Sequence, residues 1–485
     1  MAPMLRRLGR FLPFVGLPLL SSAAFAATGD PIRTNDYSVE LVQGPVLAPL
    51  RVTGLAGAYA AYAEGVDGLP VNPASPAVRA PNSMHEIDWD LAFSLAFPAT
   101  FGSTDFDNDG KNGFTYEDFV FYTLGGMIQV GPLGVGVLGD FQRYNLTPNA
   151  SGDSPRSSLT LGRLDLIGGW AFLDNQLMIG GGARGAWLDI SSKPPGQSTQ
   201  TLLSMVGFAP EAGMLIRPDY QPWRIGATFR AAVDAPARQD SAVVVDELGV
   251  RRAASLAIPR TVHLPWELCA GFAIQLGPRP LNPRWIDPGT QEHDARERML
   301  RSREARADAR AAELAAIRDD TARARRAEQL DREERYLLEQ EERRLDGLEE
   351  QMLAERRARY WNWPREYILV VAEALVVGPS SSAVSLESFL SQREQVAGER
   401  TTVTPRLGFE GEPVVGWLKT RFGTYLEPSR FAGRSARQHF TFGFDIHTFD
   451  FKGWGFLAPA SYRISAMADL APRYENLGAS FGAWY

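Results

Sequence analysis

Leu477-Gly478-Ala479-Ser480-Phe481-Gly482-Ala483-Trp484-Tyr485 closes the chain. Leu, Ala, Phe, Ala and Tyr occupy the odd positions; Gly, Ser, Gly and Trp occupy the even ones. A period of two places alternate side chains on opposite faces of a strand. A strand of this kind ending on an aromatic is how the closing strand of an outer-membrane barrel reads. At the other end, Arg6, Arg7 and Arg10 precede an apolar run from Phe11 to Leu20 and then Ala24-Phe25-Ala26. This is the pattern of a secretory signal peptide over 1–26, with Ala27 starting the mature chain. Export and a barrel-closing strand together place the protein in a bacterial outer membrane.

The same alternation recurs upstream. Ile87, Trp89, Leu91, Phe93, Leu95 and Phe97 share one face, opposite Asp88, Asp90 and Ser94. Phe440, Phe442, Phe444 and Ile446 oppose His439, Thr441, Asp445 and His447. Beyond the signal peptide no run of 18 apolar residues occurs, so no helix is expected to span a membrane. About 14 such segments can be counted, an even number suited to a closed antiparallel barrel with its apolar face in lipid and its polar face inward. They include 222–235 and 260–277, each read as one strand. Tight turns alternate with long loops, and the rule of short periplasmic turns makes the first strand run outward. The fold expected is an all-β transmembrane barrel of about 14 antiparallel strands. Strands 1–8 fill 84–277, strands 9–14 fill 365–485, and 27–83 forms an N-terminal hatch.

The chain has 485 residues, a formal charge of −7 and one cysteine. The acidic balance argues against nucleic acid as a partner. Cys269 alone excludes an internal disulfide or a thiolate metal cluster, and reads as a small lumen-facing side chain.

Between the eighth and ninth strands, 278–364 changes character: about half the residues over 291–359 are charged, and most of the rest are Ala or Leu. These are strong helix formers. One helix of that length would reach about 100 Å, yet its ends must return to adjacent strands about 5 Å apart. The segment must therefore fold back, near Arg318–Thr321, where Asp319-Asp320-Thr321 offers an N-cap. Ala305, Ala309, Ala312 and Ala316 are expected to face Leu330, Leu337 and Leu345. By strand parity the hairpin lies in the periplasm, either as a solvated helical pair or as a docking arm, through 290–360, for an envelope protein or the cell wall.

The segment before the first strand holds Gly54-Leu55-Ala56-Gly57-Ala58 and Asn72-Pro73-Ala74. These residues resemble the hatch of the FadL-type family of outer-membrane transporters for long-chain fatty acids and other hydrophobic compounds. Arg224-Ile225-Gly226-Ala227-Thr228-Phe229-Arg230 also resembles a strand signature of that family. The resemblance implies a hatch built on Gly54, Gly57, Ala58, Asn72, Pro73 and Ala74 inside a 14-stranded barrel. The same hatch resembles that of PorV-type barrels, which serve secretion and surface attachment. Ser75 replaces the Gly usual after Asn-Pro-Ala, and the helical insertion departs from both families.

For a hydrophobic cargo, Phe119, Phe121, Met127, Leu203, Met205, Leu369 and Val371 are candidates for an apolar lumen patch, with packing on the hatch as the plain alternative. The inward charges Arg163, Asp165, Arg184, Arg230, Arg406, Glu410, Lys419, Arg421, Arg463 and Asp469 are expected in paired networks. Asp105, Asp107, Asp109 and Asn112 have the D-x-D-x-D-G spacing that gathers carboxylates on calcium, though the acid closing an EF-hand loop would fall on Tyr116 and stands instead at Glu117. No other cofactor is indicated, and no Ser–His arrangement points to an enzyme. The expected function is an outer-membrane channel, set in outer-membrane lipid, for passive uptake of hydrophobic, fatty-acid-like small molecules. The alternative is a scaffold or secretion protein that docks partners through the arm.

Overall fold

The computed structural model describes residues 29–484 apart from 80–82, 84, 100–103, 112, 150–155, 194–198, 238–242, 246–250, 254–256, 286 and 452–459. The signal peptide, Asn112 and the terminal Tyr485 lie outside the described residues.

Fourteen antiparallel strands close on themselves. They are β1 (Ile87–Pro98), β2 (Phe114–Val130), β3 (Leu133–Pro148), β4 (Arg156–Phe172), β5 (Leu177–Lys193), β6 (Gln200–Ile216) and β7 (Trp223–Arg230). The second half comprises β8 (Glu267–Leu276), β9 (Ile368–Val377), β10 (Thr402–Val414), β11 (Leu418–Glu427), β12 (Arg437–Phe451), β13 (Ala460–Ala471) and β14 (Tyr474–Ala483). The closing ladder pairs Phe93 with Phe481 and Phe97 with Leu477, so the nine residues at the end of the chain do close the wall.

Alternation sets the faces. Leu124 is 60 % exposed and Phe442 47 %, whereas their neighbours Thr123 and Thr441 are buried. A belt of Leu, Ile, Val and Phe in contact with solvent would be untenable on a soluble protein. On a closed barrel it is the lipid face, and every backbone group of the wall is paired where strands adjoin. The protein is an outer-membrane barrel. Among the described residues no helix is long and apolar enough to cross a membrane.

Two expected strands are broken. The segment 222–235 divides into β7 and Val233–Pro236, and 260–277 into Thr261–Leu264 and β8. Pro265 interrupts the second, since a proline cannot donate to a ladder. The detached pieces form a small four-stranded sheet at the long-loop end, in the order Ala383–Val384, Ser38–Glu40, Thr261–Leu264 and Val233–Pro236. β6 consequently pairs with β7 only from Glu211 to Ile216. Among the described residues its outer half, 201–209, has no barrel strand on that side.

The insertion is a helical hairpin, α1 (Pro288–Ala316) and α2 (Asp320–Trp361), emerging at the short-turn end. Asp319 caps α2 by accepting from the Thr321 and Ala322 amides at 3.3 and 3.1 Å. The expected alanine seam is not the contact line: Ala305, Ala309, Ala312 and Ala316 are exposed. The helices meet instead through Arg303, Arg306 and Arg310 of α1, which pair with Glu341, Glu334 and Asp331. Leu338, Leu345 and Met352 lie half-buried along α2. A helix half composed of charges has too weak an apolar face to fix its rotation, and long Arg stems cover apolar surface that alanine cannot.

Candidate functional site

Residues 42–79 pass once down the lumen, from the small outer sheet to the short-turn end. Asn72, fully buried, holds the hatch together: its amide donates to the carbonyls of Ala60 (2.8 Å) and Met214 (3.0 Å), and its oxygen accepts from the Ala74 amide (3.0 Å). Asn72 thus ties hatch to hatch and hatch to β6. Gly57 adopts φ +77°, a left-handed conformation that favours glycine, and its carbonyl accepts from Arg406 at 3.2 Å. Gly54 offers its carbonyl to Thr441 at 3.1 Å, and Ala58 is buried beside it in the hatch core.

The wall answers with glycines of its own, which the sequence reading overlooked. A Cβ on Gly180 would lie 1.8 Å from the Pro73 oxygen, and one on Gly226 would lie 2.1 Å from the Ala60 oxygen. Backbone meets backbone there, and nothing larger fits.

Charges complete the lock. Arg51 of the hatch faces Glu410 at 3.5 Å, Glu64 meets Arg224 at 2.6 Å, and Asp67 pairs with Arg463. Glu373 of β9 accepts from the Tyr59 and Ala60 amides at 3.0 and 2.8 Å. Arg421 bridges Glu410 and Asp445, and Arg230 reaches Glu211 and Glu267. Buried ions need partners of this sort, and Arg184, Arg230, Arg406, Glu410, Arg421, Arg463 and Asp469 have them, whereas Arg163 donates to Gln43 and Lys419 lies over the Trp484 ring. At the short-turn end Arg224 also donates to Asn282 Oδ1 (2.6 Å) and the Leu281 carbonyl (2.8 Å), while Arg217 joins the carbonyls of Arg79 and Pro283. The stretch leading into α1 is therefore folded under the hatch as part of its base.

The seven lumen candidates all point inward and are buried, but they do not form one pocket. Phe121 packs with Leu50 and Met467; Met127 with Val66 and Leu69; Leu369 and Val371 with the hatch core. These four fit the plain alternative. Only Phe119, Leu203 and Met205 belong to the apolar cluster beneath the long loops.

That cluster borders a cavity of ≈ 50 Å³. Its apolar lining comes from Phe106, Tyr116 of β2, Tyr144 of β3, Leu161 of β4, Leu188 of β5 and Phe431. Gln43 lines it and also a second, more charged cavity of ≈ 130 Å³ below, beside Arg163, Arg230, Glu267, Cys269, Glu373 and Arg406. Gln43 is held between them by a reciprocal amide pair with Gln142 (2.5 and 2.7 Å) and by Arg163 (3.1 Å).

Asp105, Asp107 and Asp109 converge as the spacing implied, with carboxylate oxygens within 4.8 Å of one another. The loop's own amides already serve some of them: Asp109 and Gly110 donate to Asp105, and Lys111 to Asp109. A further acid comes from elsewhere in the chain. Tyr116 donates to Glu387 at 2.9 Å, bringing that carboxyl beside the three aspartates. Burial, reinforced by Asp109, pushes the Asp105 carboxyl up to about 6. Burial with Asp109 and Asp105 nearby pushes Glu387 up to about 8. Four crowded carboxyls of this kind suit a hard cation.

No family model and no curated protein matches the chain. Solved structures do. The Pseudomonas putida toluene transporter TodX aligns over 91 % of this chain and 98 % of its own, at 10 % identity and a TM-score of 0.47. A Pseudomonas aeruginosa FadL homologue aligns over 92 % and 99 %, at 9 % identity and 0.47. The CymD monoaromatic hydrocarbon channel aligns over 90 % and 96 %, at 10 % identity and 0.44. The chain is similar to FadL-type barrels. The architecture itself rests on the strand ladders described above.

Proposed function

We propose that this barrel admits small hydrophobic molecules passively and unaltered across the outer membrane. The observation that carries the reading is the cavity at the long-loop end, where a wall of aromatic rings and leucines runs to Leu188 of β5, paired with Met205 on the stretch of β6 that lacks a barrel neighbour. Cargo collects beneath the long loops, and passage inward requires Gln43 and the hatch to shift, because ion pairs fill the lumen below. The short-turn end and the hairpin face the periplasm in this reading. His439, held between Glu427 (2.6 Å) and Asp469 (2.9 Å), is a bracing group and not the partner of a nucleophile.

The test is accumulation of a radiolabelled hydrophobic compound by cells that depend on this protein. Leu188→Lys, which puts a charge into the cavity, should cut uptake severalfold while the barrel still assembles. Equal uptake by wild type, variant and cells lacking the chain would sink the reading. A second reading, a scaffold, draws on the exposed hairpin and the sealed base. Replacing 290–360 by a short turn and comparing co-purified envelope proteins tests it: unchanged partners reject docking.

A further inference from the structure

His439, near the outer end of β12, is wholly buried between two acids. Its Nε2 lies 2.6 Å from Glu427 of β11, and its Nδ1 lies 2.9 Å from Asp469 of β13. A neutral imidazole has one N–H and one lone pair, so it can donate to only one carboxylate. Two carboxylates at hydrogen-bond distance therefore require an imidazolium, with both nitrogens donating. The other titratable or charged groups packed around it are Tyr425 of β11, Tyr474 of β14 (5.2 Å between rings) and Arg437 of its own strand. Arg437 is held on Glu427 at 2.9 and 2.8 Å.

The entrance of the hatch is seated on the same cluster. Tyr425, the cross-strand partner of His439, stacks on its ring with centroids 4.2 Å apart and planes 17° from parallel. The Tyr425 hydroxyl donates to Asp469 at 2.7 Å and accepts from the Val46 amide at 3.1 Å. Val46 also packs with Ala56 and Tyr425. Two residues earlier, the Gly44 backbone lies against Glu427, so close that a Cβ there would come within 1.9 Å of Oε1. Neither Gly44 nor Val46 brings a titratable side chain. Residues 44–46 thus rest on the two β11 side chains that His439 touches.

We propose that His439 is a pH-sensitive latch on the entrance of the hatch. With both ring nitrogens protonated it ties Glu427 to Asp469 and steadies Tyr425 beneath Val46. Loss of one proton turns a ring lone pair toward a carboxylate, so one of the two pairs parts and the Tyr425 face loses its cationic neighbour. The bracing is complete in mildly acidic solution and is lost as pH rises through the titration of the ring. The latch does not depend on what the barrel admits, so its failure would leave the uptake reading standing.

Hydrogen exchange of the full-length protein in detergent, followed over 42–49 from about pH 5 to about pH 10 and corrected for intrinsic rate, tests it. Exchange at the Val46 amide should quicken about tenfold across the titration, the size of one charge-assisted hydrogen bond. His439→Gln should exchange fast throughout, without a step. Tyr425→Phe keeps the ring and removes only the hydroxyl; it should also be fast and flat, and it serves where the glutamine variant does not fold. Loosening of the acidic outer loops is a separate event, read at 104–111 and expected to persist in both variants. A flat wild-type profile over 42–49, or a step there that survives in either variant, overturns the proposal.

Discussion

Asn72 shows what a single residue contributes at this depth. Its three hydrogen bonds join two parts of the hatch and one strand, and the side chain is fully buried. Asn72→Ala strands the Ala60 and Met214 carbonyls and the Ala74 amide, at about 1–3 kcal/mol for each buried group left without a partner. The variant should lose SDS-resistant folded mobility at a lower temperature and let bulky antibiotics into cells. An unchanged melting point and unchanged antibiotic sensitivity would show that the hatch is held elsewhere. The motif was legible in the sequence because its bonds are partly local, two and twelve residues away. Its counterparts, Gly180 and Gly226, were not. A glycine in a strand announces close approach without naming what approaches. The cavity residues Tyr144, Leu161 and Leu188 were missed for a related reason. Alternation fixes which side of the wall a residue faces, but its height along the lumen depends on strand stagger and on where loops fold inward.

At the scale of elements, the hairpin's existence and its turn were readable from composition and from Asp319, while its contact face was not. The broken eighth strand was readable too: Pro265 marks the break. The seventh breaks at Ala231-Ala232, where no residue signals it. The outer loops supply an element whose stability depends on pH. Glu387 and Asp105 have carboxyls raised to about 8 and about 6 by burial and by Asp109, in a group that also contains Asp107, Tyr116 and Lys111. A carboxyl raised in the folded state contributes stability that is complete below its unfolded value and is lost as pH rises through the folded one. The outer loops should therefore loosen between about pH 5 and pH 9. Hydrogen exchange at 104–111 and in the short helix Leu386–Ser391, corrected for intrinsic rate, should quicken over that interval and slow again when calcium is added. A flat corrected profile would contradict the burial of these acids.

For the whole molecule, barrel, hatch and hairpin are mechanically one body at the short-turn end. Arg224 touches the hatch through Glu64 and the root of the arm through Asn282. The arm and its root should therefore be separable by where the chain is cut. Removing 290–360 and keeping 278–287 should leave the base intact. Removing 278–360 should strip Arg217 of the Pro283 carbonyl and Arg224 of Asn282 and the Leu281 carbonyl, and make the barrel leak in conductance recordings. Equal conductance from both deletions would mean that the root carries no part of the seal.

The single descent of 42–79 through the lumen also makes the barrel a ring around its own chain. The segment at Ser38–Glu40 ends on one face of the membrane, and β1 starts from the other. A wall that closed first would oblige that segment to thread an already tight hole past Arg51, Glu64 and Asp67. The Phe93–Phe481 seam is then the last stitch of assembly, made only after the hatch lies in place, and the glycines that admit its backbone are folding determinants as much as features of the finished channel.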